Sequence, residues 1–126
     1  MRIRFTILCV EENPEILALR RVLLSIAGYT VLTASNGRSA LEILSGNYVD
    51  MVITDYVVPD LTWQEFASEM KRREPTVPIL VYTGCPRIPP SIAHADLVLA
   101  KGMDSSALLE EIAKLVAKSQ APASEN

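Results

Sequence analysis

Short apolar runs alternate along this chain with segments in which apolar residues recur at helical spacing. Four of the runs stop on a polar residue of a different chemical kind. Ile7-Leu8-Cys9-Val10 leads into Glu11-Glu12, Met51-Val52-Ile53-Thr54 into Asp55, Ile79-Leu80-Val81-Tyr82 into Thr83-Gly84, and Leu97-Val98-Leu99-Ala100 into Lys101. Runs this short and this apolar suit strands covered on both faces. They predict strands over residues 3–10, 50–54, 77–82 and 96–100, with a further β-rich stretch at 29–33.

Helical signals fill the intervals. Asn13-Pro14 supplies an N-cap and a proline at the first helical position, and Ile16, Leu19, Leu23 and Ile26 form one apolar face before Gly28. Asn36-Gly37 opens a second helix carrying Ala40, Leu41 and Leu44, closed by Gly46-Asn47. A third runs from about Trp63 to Arg73 and stops before Pro75. A last one follows Asp104, with Leu108, Ile112 and Leu115 as its buried stripe. Between the last two strands, Cys85-Pro86-Arg87-Ile88-Pro89-Pro90 excludes an ordinary helix, leaving only Ser91 to His94 for about one turn. Strict alternation of strand and helix predicts an α/β fold: a flavodoxin-like, doubly wound, five-stranded parallel sheet of order 2-1-3-4-5, with its fourth helix reduced.

A length of 126 residues predicts one domain over residues 1–118, with a flexible tail at 119–126. The net charge of −3 and the scattering of basic residues in small groups argue against a nucleic-acid surface. No apolar run approaches the ~18 residues of a membrane span. The apolar start is interrupted by Glu11-Glu12, unlike a signal peptide, so the expected location is the cytoplasm. Cys9 reads as a small buried hydrophobe and Cys85 as a bystander thiol, without the spacing of a zinc site.

The strand order 2-1-3-4-5 sets strands 1 and 3 side by side, so Glu11, Glu12 and Asp55 become neighbours at the carboxyl edge, joined there by Thr83 and Lys101. Crowded carboxylates repel one another, and a hard divalent cation relieves that repulsion. Oxygen-only ligation by few protein groups suits Mg²⁺. The cation leaves Asp55 free to act as a nucleophile towards a phosphoryl group, with the Lys101 ammonium and the Thr83 hydroxyl compensating charge. Each residue has a bland role as well: the acids could cap a helix, Asp55 and Thr83-Gly84 could be turns, and Lys101 could be solvated. Their joint placement at four strand ends favours a site.

With these motifs in order, residues 5–118 resemble the receiver domain of two-component response regulators. The resemblance rests on Glu11-Glu12, Asp55-Tyr56-Val57-Val58-Pro59, Thr83-Gly84 and Lys101. It implies a single-domain receiver that takes a phosphoryl group on Asp55 from a sensor histidine kinase or phosphotransfer protein and signals to a downstream protein. Such a domain is not an enzyme beyond its own phosphorylation and dephosphorylation, and a weak homodimer is compatible with it. The resemblance further implies Mg²⁺ held by Glu12, Asp55 and the Val57 carbonyl, with Glu11 acting through water. Thr83 would reorient on phosphorylation, and Lys101 would pair with the phosphoryl group.

The chain also departs from the pattern. Glu12 stands where the family has aspartate, Val98 where it has an aromatic switch residue, and Gly102 where a proline and its cis peptide are usual. The segment from Thr83 to Lys101 is short. An apolar Val57 beside the acceptor predicts slow dephosphorylation, Trp63 is expected to anchor the core, and His94 to lie at the surface. The competing expectation is a pseudo-receiver, an interaction module independent of phosphorylation. A hydrolase would need a general acid/base that the sequence does not offer, and a flavin binder a phosphate loop where Glu11-Glu12 stands.

Overall fold

Strands that are apolar on both sides need helices on both sides, and the chain supplies them in two pairs. A computed structural model describes residues 5–84 and 92–119. In chain order the elements are β1 (Thr6–Val10), α1 (Pro14–Ile26), β2 (Thr30–Ala34), α2 (Gly37–Gly46), β3 (Met51–Thr54), α3 (Trp63–Arg73), β4 (Ile79–Thr83), β5 (Leu97–Ala100) and α4 (Ser105–Ser119). All pairings are parallel and the strand order is β2-β1-β3-β4-β5. The expected architecture is therefore the observed one.

Alternate residues of each strand feed separate cores. Leu8, Val10, Val52 and Val81 pack with Ala40, Leu41 and Leu44 of α2 and Phe66 and Met70 of α3. Ile7, Met51, Ile53, Leu80 and Tyr82 pack with Leu24 of α1 and Leu108 and Ile112 of α4. The two faces are thus closed by different helix pairs.

Local chemistry sets the helix starts. The Asn13 side chain accepts from the amides of Glu15 and Ile16 ahead of Pro14. Asn36 caps α2 through the Ser39 amide, and Asp104 caps α4 through the Ala107 amide. Thr62 and Glu65 form a reciprocal capping box at α3.

Two expectations are corrected. Of the apolar face predicted for α1, Leu19 is 72% and Ile26 80% exposed, while the buried residues are Arg20 and Leu24. Leu23 of the predicted face does pack, partly buried, against the core, but an arginine stands on the line that meets the sheet, so the apolar pattern is rotated off the buried line of this helix. The turn expected at residues 91–94 is not a helix in its described part: Ile92 to Ala95 is a turn closed by the Ala95 amide on the Ile92 carbonyl, and exposed His94 has φ +70°. Residues 3–4, Cys85 with the proline segment, and the tail beyond residue 119 lie outside the described residues.

Candidate functional site

The parallel register brings the strand ends together. Val10 is paired with Thr54, and Thr83 with Ala100, so the residues that follow β1, β3 and β5 emerge at one edge beside Thr83. Backbone bonds extend the ladder past the strands: the Glu11 amide donates to the Ala34 carbonyl, and the Lys101 amide to the Thr83 carbonyl. Side chains at these positions share a location by topology.

There Asp55 sits between two donors. The Thr83 hydroxyl donates to its Oδ1 at 2.8 Å, and Lys101 Nζ to its Oδ2 at 3.0 Å. The Val57 amide lies 3.4 Å from Oδ1, a longer contact. Lys101 Nζ also reaches Glu11 Oε1 at 2.9 Å, and the other Glu11 oxygen accepts from the Asn13 amide at 3.0 Å. Glu11 is buried, whereas the Asp55 and Lys101 side chains keep 21% and 24% of their surface, enough for a reactant to reach them.

Burial by itself would push the Asp55 carboxyl up. The Lys101 and Thr83 hydrogen bonds and the ammonium charge outweigh burial and hold it below the usual carboxylate range. Lys101 shows the mirror case: burial weakens the ammonium, but the bonds to Glu11 and Asp55 outweigh that and raise it above an ordinary lysine. Both groups are charged at neutral pH, as phosphoryl acceptance requires.

Of the predicted site residues, Asp55, Thr83, Lys101 and Glu11 form one bonded network. Glu12 is exposed on the β1–α1 loop and outside it, and the Val57 side chain is 61% exposed. Among the described residues no three acidic, histidine or cysteine side chains converge as a closed metal cage. Mg²⁺ commonly takes one or two carboxylates, keeps its waters and shares oxygens with a phosphate. Donors here are all oxygen, with Glu11 and Asp55 facing Lys101 and Arg20 and Glu12 exposed on the adjoining loop, so the donor set fits such an open site in kind.

Two contributors escaped the sequence reading. Asp60, in the loop after β3, accepts from the Gly37 and Arg38 amides at 2.8 and 3.0 Å, tying the Asp55 loop to the N-terminus of α2. A Cβ at Gly37 would lie 2.7 Å from Leu61 Cδ1 and 3.1 Å from Asp60 Oδ1, so a side chain there would have to displace the Leu61 side chain. Arg20, buried beneath the edge, lies 3.7 Å from Glu11 Oε1 and stacks over the Tyr82 ring at 4.9 Å. An arginine next to a second one, Arg21, in a helix carries no sequence signal of burial. Its guanidinium also offsets part of the effect by which burial pushes the Cys9 thiol up.

Trp63, expected as a core anchor, stacks on Tyr56 with ring centroids 5.5 Å apart and meets Phe66 edge-on. Its indole Nε1 donates to the Ala93 carbonyl at 2.9 Å, holding the turn before β5. Val98, in place of an aromatic switch, is half-buried against the α2–α3 core. Gly102 has φ +107°, which proline cannot adopt, and no cis peptide occurs among the described residues. A hollow of about 790 Å³ opens at the opposite edge of the sheet around Asn47, Tyr48 and Pro78, away from Asp55. A phosphoryl acceptor needs an accessible carboxylate and charge compensation more than a deep cavity.

Residues 7–113 match the family described as the response regulator receiver domain. Curated relatives include the transcriptional regulatory protein GlrR of Escherichia coli, 29% identical over 110 residues that make up 84% of this chain and 25% of GlrR. Another is the transcriptional regulatory protein TcrA of Mycobacterium tuberculosis, 31% identical over 71% of this chain and 36% of TcrA. The chain thus spans about a quarter to a third of the curated relatives it matches. Among solved structures, response regulator TrrA of Thermotoga maritima, in complex with Mg²⁺-BeF, aligns with TM-score 0.81 and 28% identity over 88% of this chain and 98% of its own. A CheY-like receiver domain from Methanospirillum hungatei aligns at TM-score 0.83 and 22% identity, covering 92% and 96% of the two chains. No helix among the described residues is long and apolar enough to cross a membrane.

Proposed function

Because this chain belongs to the response regulator receiver domain family of two-component signalling, we propose that it accepts a phosphoryl group on Asp55 from a histidine kinase or phosphotransfer protein and passes the signal on by protein contact. The observation that carries this reading is the Asp55 carboxylate held between Thr83 Oγ1 and Lys101 Nζ at 2.8 and 3.0 Å.

In the transfer, an Asp55 carboxylate oxygen attacks phosphorus. The new O–P bond forms as the donor's bond to phosphorus breaks, and the leaving group departs with that electron pair. Lys101 turns its ammonium from Asp55 to the phosphoryl oxygens, and the Thr83 hydroxyl is within reach to donate to them. Glu12, Asp55 and the Val57 carbonyl would hold Mg²⁺, with Glu11 assisting through water. A bound cation there supplies charge compensation between the acids and the incoming phosphoryl group.

Intact-protein mass after incubation with a small phosphodonor and Mg²⁺ tests this reading. One phosphoryl adduct is expected, absent in Asp55→Asn and strongly reduced by a chelator. An adduct that persists in Asp55→Asn overturns the assignment of the acceptor. No adduct with any donor favours the alternative, a phosphorylation-independent interaction module.

A further inference from the structure

Arg20 occupies a place where an apolar side chain would pack most simply. It lies on the buried line of α1 with Leu24, its side chain 6% exposed, among Cys9, Glu11 and Tyr82. A guanidinium cannot shed its charge, so its burial is costly unless a partner compensates it. The partner is Glu11, yet the pairing is incomplete. Arg20 Nη1 stands 3.7 Å from Glu11 Oε1, beyond hydrogen-bond range, and has no hydrogen-bond partner. The same oxygen already accepts from Lys101 Nζ at 2.9 Å. Two cations therefore address one carboxylate oxygen, one in contact and one standing off.

This asymmetry acquires a purpose on the reading of Asp55 as phosphoacceptor, on which the inference rests. We propose that Arg20 is a positioning residue that takes over Glu11 when Lys101 leaves it for a phosphoryl group on Asp55. Glu11 is 5% exposed, so a water shared with Mg²⁺ still leaves its Oε1 without a direct partner once Lys101 has gone. An advance of less than about 1 Å brings Nη1 into hydrogen-bond range of Oε1. The Asn13 amide on the other Glu11 oxygen keeps the carboxylate in place during the exchange. Arg20 thus frees Lys101 to move without stranding a buried anion.

The test uses the whole chain labelled with ¹⁵N in arginine, with beryllofluoride and Mg²⁺ as the phosphoryl mimic. The Arg20 Nη resonances are expected to shift and their rotation to slow on addition of the mimic, as a new hydrogen bond forms. Amide shifts around Asp55 with no change at Arg20 overturn the proposal. Absence of shifts at both places means that the mimic does not bind, which refutes the acceptor reading and this proposal with it.

Variants give a second measurement. Arg20→Met keeps an unbranched apolar stem and loses the charge, and is expected to lower the steady-state yield of aspartyl phosphate about tenfold, the scale of one charge-assisted hydrogen bond. Arg20→Lys restores the cation and is expected to recover most of that loss. Equal losses in both variants, following their thermal stabilities, make Arg20 a structural residue and overturn the proposal.

Discussion

Towards α1, the carboxyl edge is held by charge; towards α3, it is held by packing. On the first flank Asp55, Lys101, Glu11 and Arg20 form a chain of alternating sign that runs from the surface into the core. On the second, Tyr56 stacks on Trp63, Trp63 meets Phe66 edge-on, and the indole of Trp63 fixes the Ala93 carbonyl. A change in the charge of Asp55 is felt along the first flank, because each ion there is compensated by the next. The aromatic flank has no such stake. One side of the site is therefore built to respond, and the other to keep the Asp55 loop in register.

Truncating the aromatic flank has the largest expected effect on stability. Phe66 is fully buried, and Phe66→Ala should cost about 3–5 kcal/mol through lost burial and the cavity left behind, read by chemical denaturation. A loss below about 1 kcal/mol would mean that the flank is not held by packing.

The charge flank comes next. Glu11→Gln keeps the shape but leaves Lys101 and Arg20 facing each other without the anion between them. A loss of about 2 kcal/mol is expected, the scale of hydrogen bonds to charged groups. The double variant Glu11→Gln, Arg20→Met should recover part of it, since a buried cation without a partner is the cost removed. Strict additivity of the two changes would show that they do not interact.

Trp63→Phe tests the tie between the flank and the turn before β5. It retains the ring stack and removes the indole donor, so about 1 kcal/mol is expected, confined to that turn. Amide exchange should speed up at residues 92–96 and stay unchanged in β1 and β3. Acid adds a smaller discriminant. Because the Asp55 carboxyl is held below its ordinary value, its contribution is present above the ordinary carboxylate range and is lost as pH falls through the lowered value. Asp55→Asn should flatten that part of the stability profile, and Trp63→Phe should leave it intact.

The strand ends were legible in the sequence for a physical reason. Each strand is buried on both faces, so the first polar residue after it marks where the sheet meets solvent, and parallel register gathers those residues. Helix starts were legible through Asn13, Asn36 and Asp104, whose side chains act on amides two or three positions ahead. The buried line of α1 was not, because Arg20 stands on it and is buried only by virtue of Glu11 and Tyr82, which come from other strands. Asp60 was hidden for a related reason: its partners lie 22 and 23 residues away in sequence. Gly102 could be seen as a departure from the proline expected there, but its left-handed backbone becomes the explanation only in three dimensions. Local chemistry was readable, and contacts between distant elements that reverse a residue's usual preference were not.

Chemical trapping decides whether Asp55 is the residue that takes the phosphoryl group. Borohydride reduces an aspartyl phosphate to homoserine, so the phosphodonor-treated protein can be reduced, digested and mapped by mass. Homoserine is expected at position 55, with every other acidic residue unreduced. Homoserine at another aspartate, 5-hydroxynorvaline at Glu11 or Glu12, or an unmodified Asp55 in a protein that carries the adduct would contradict this assignment.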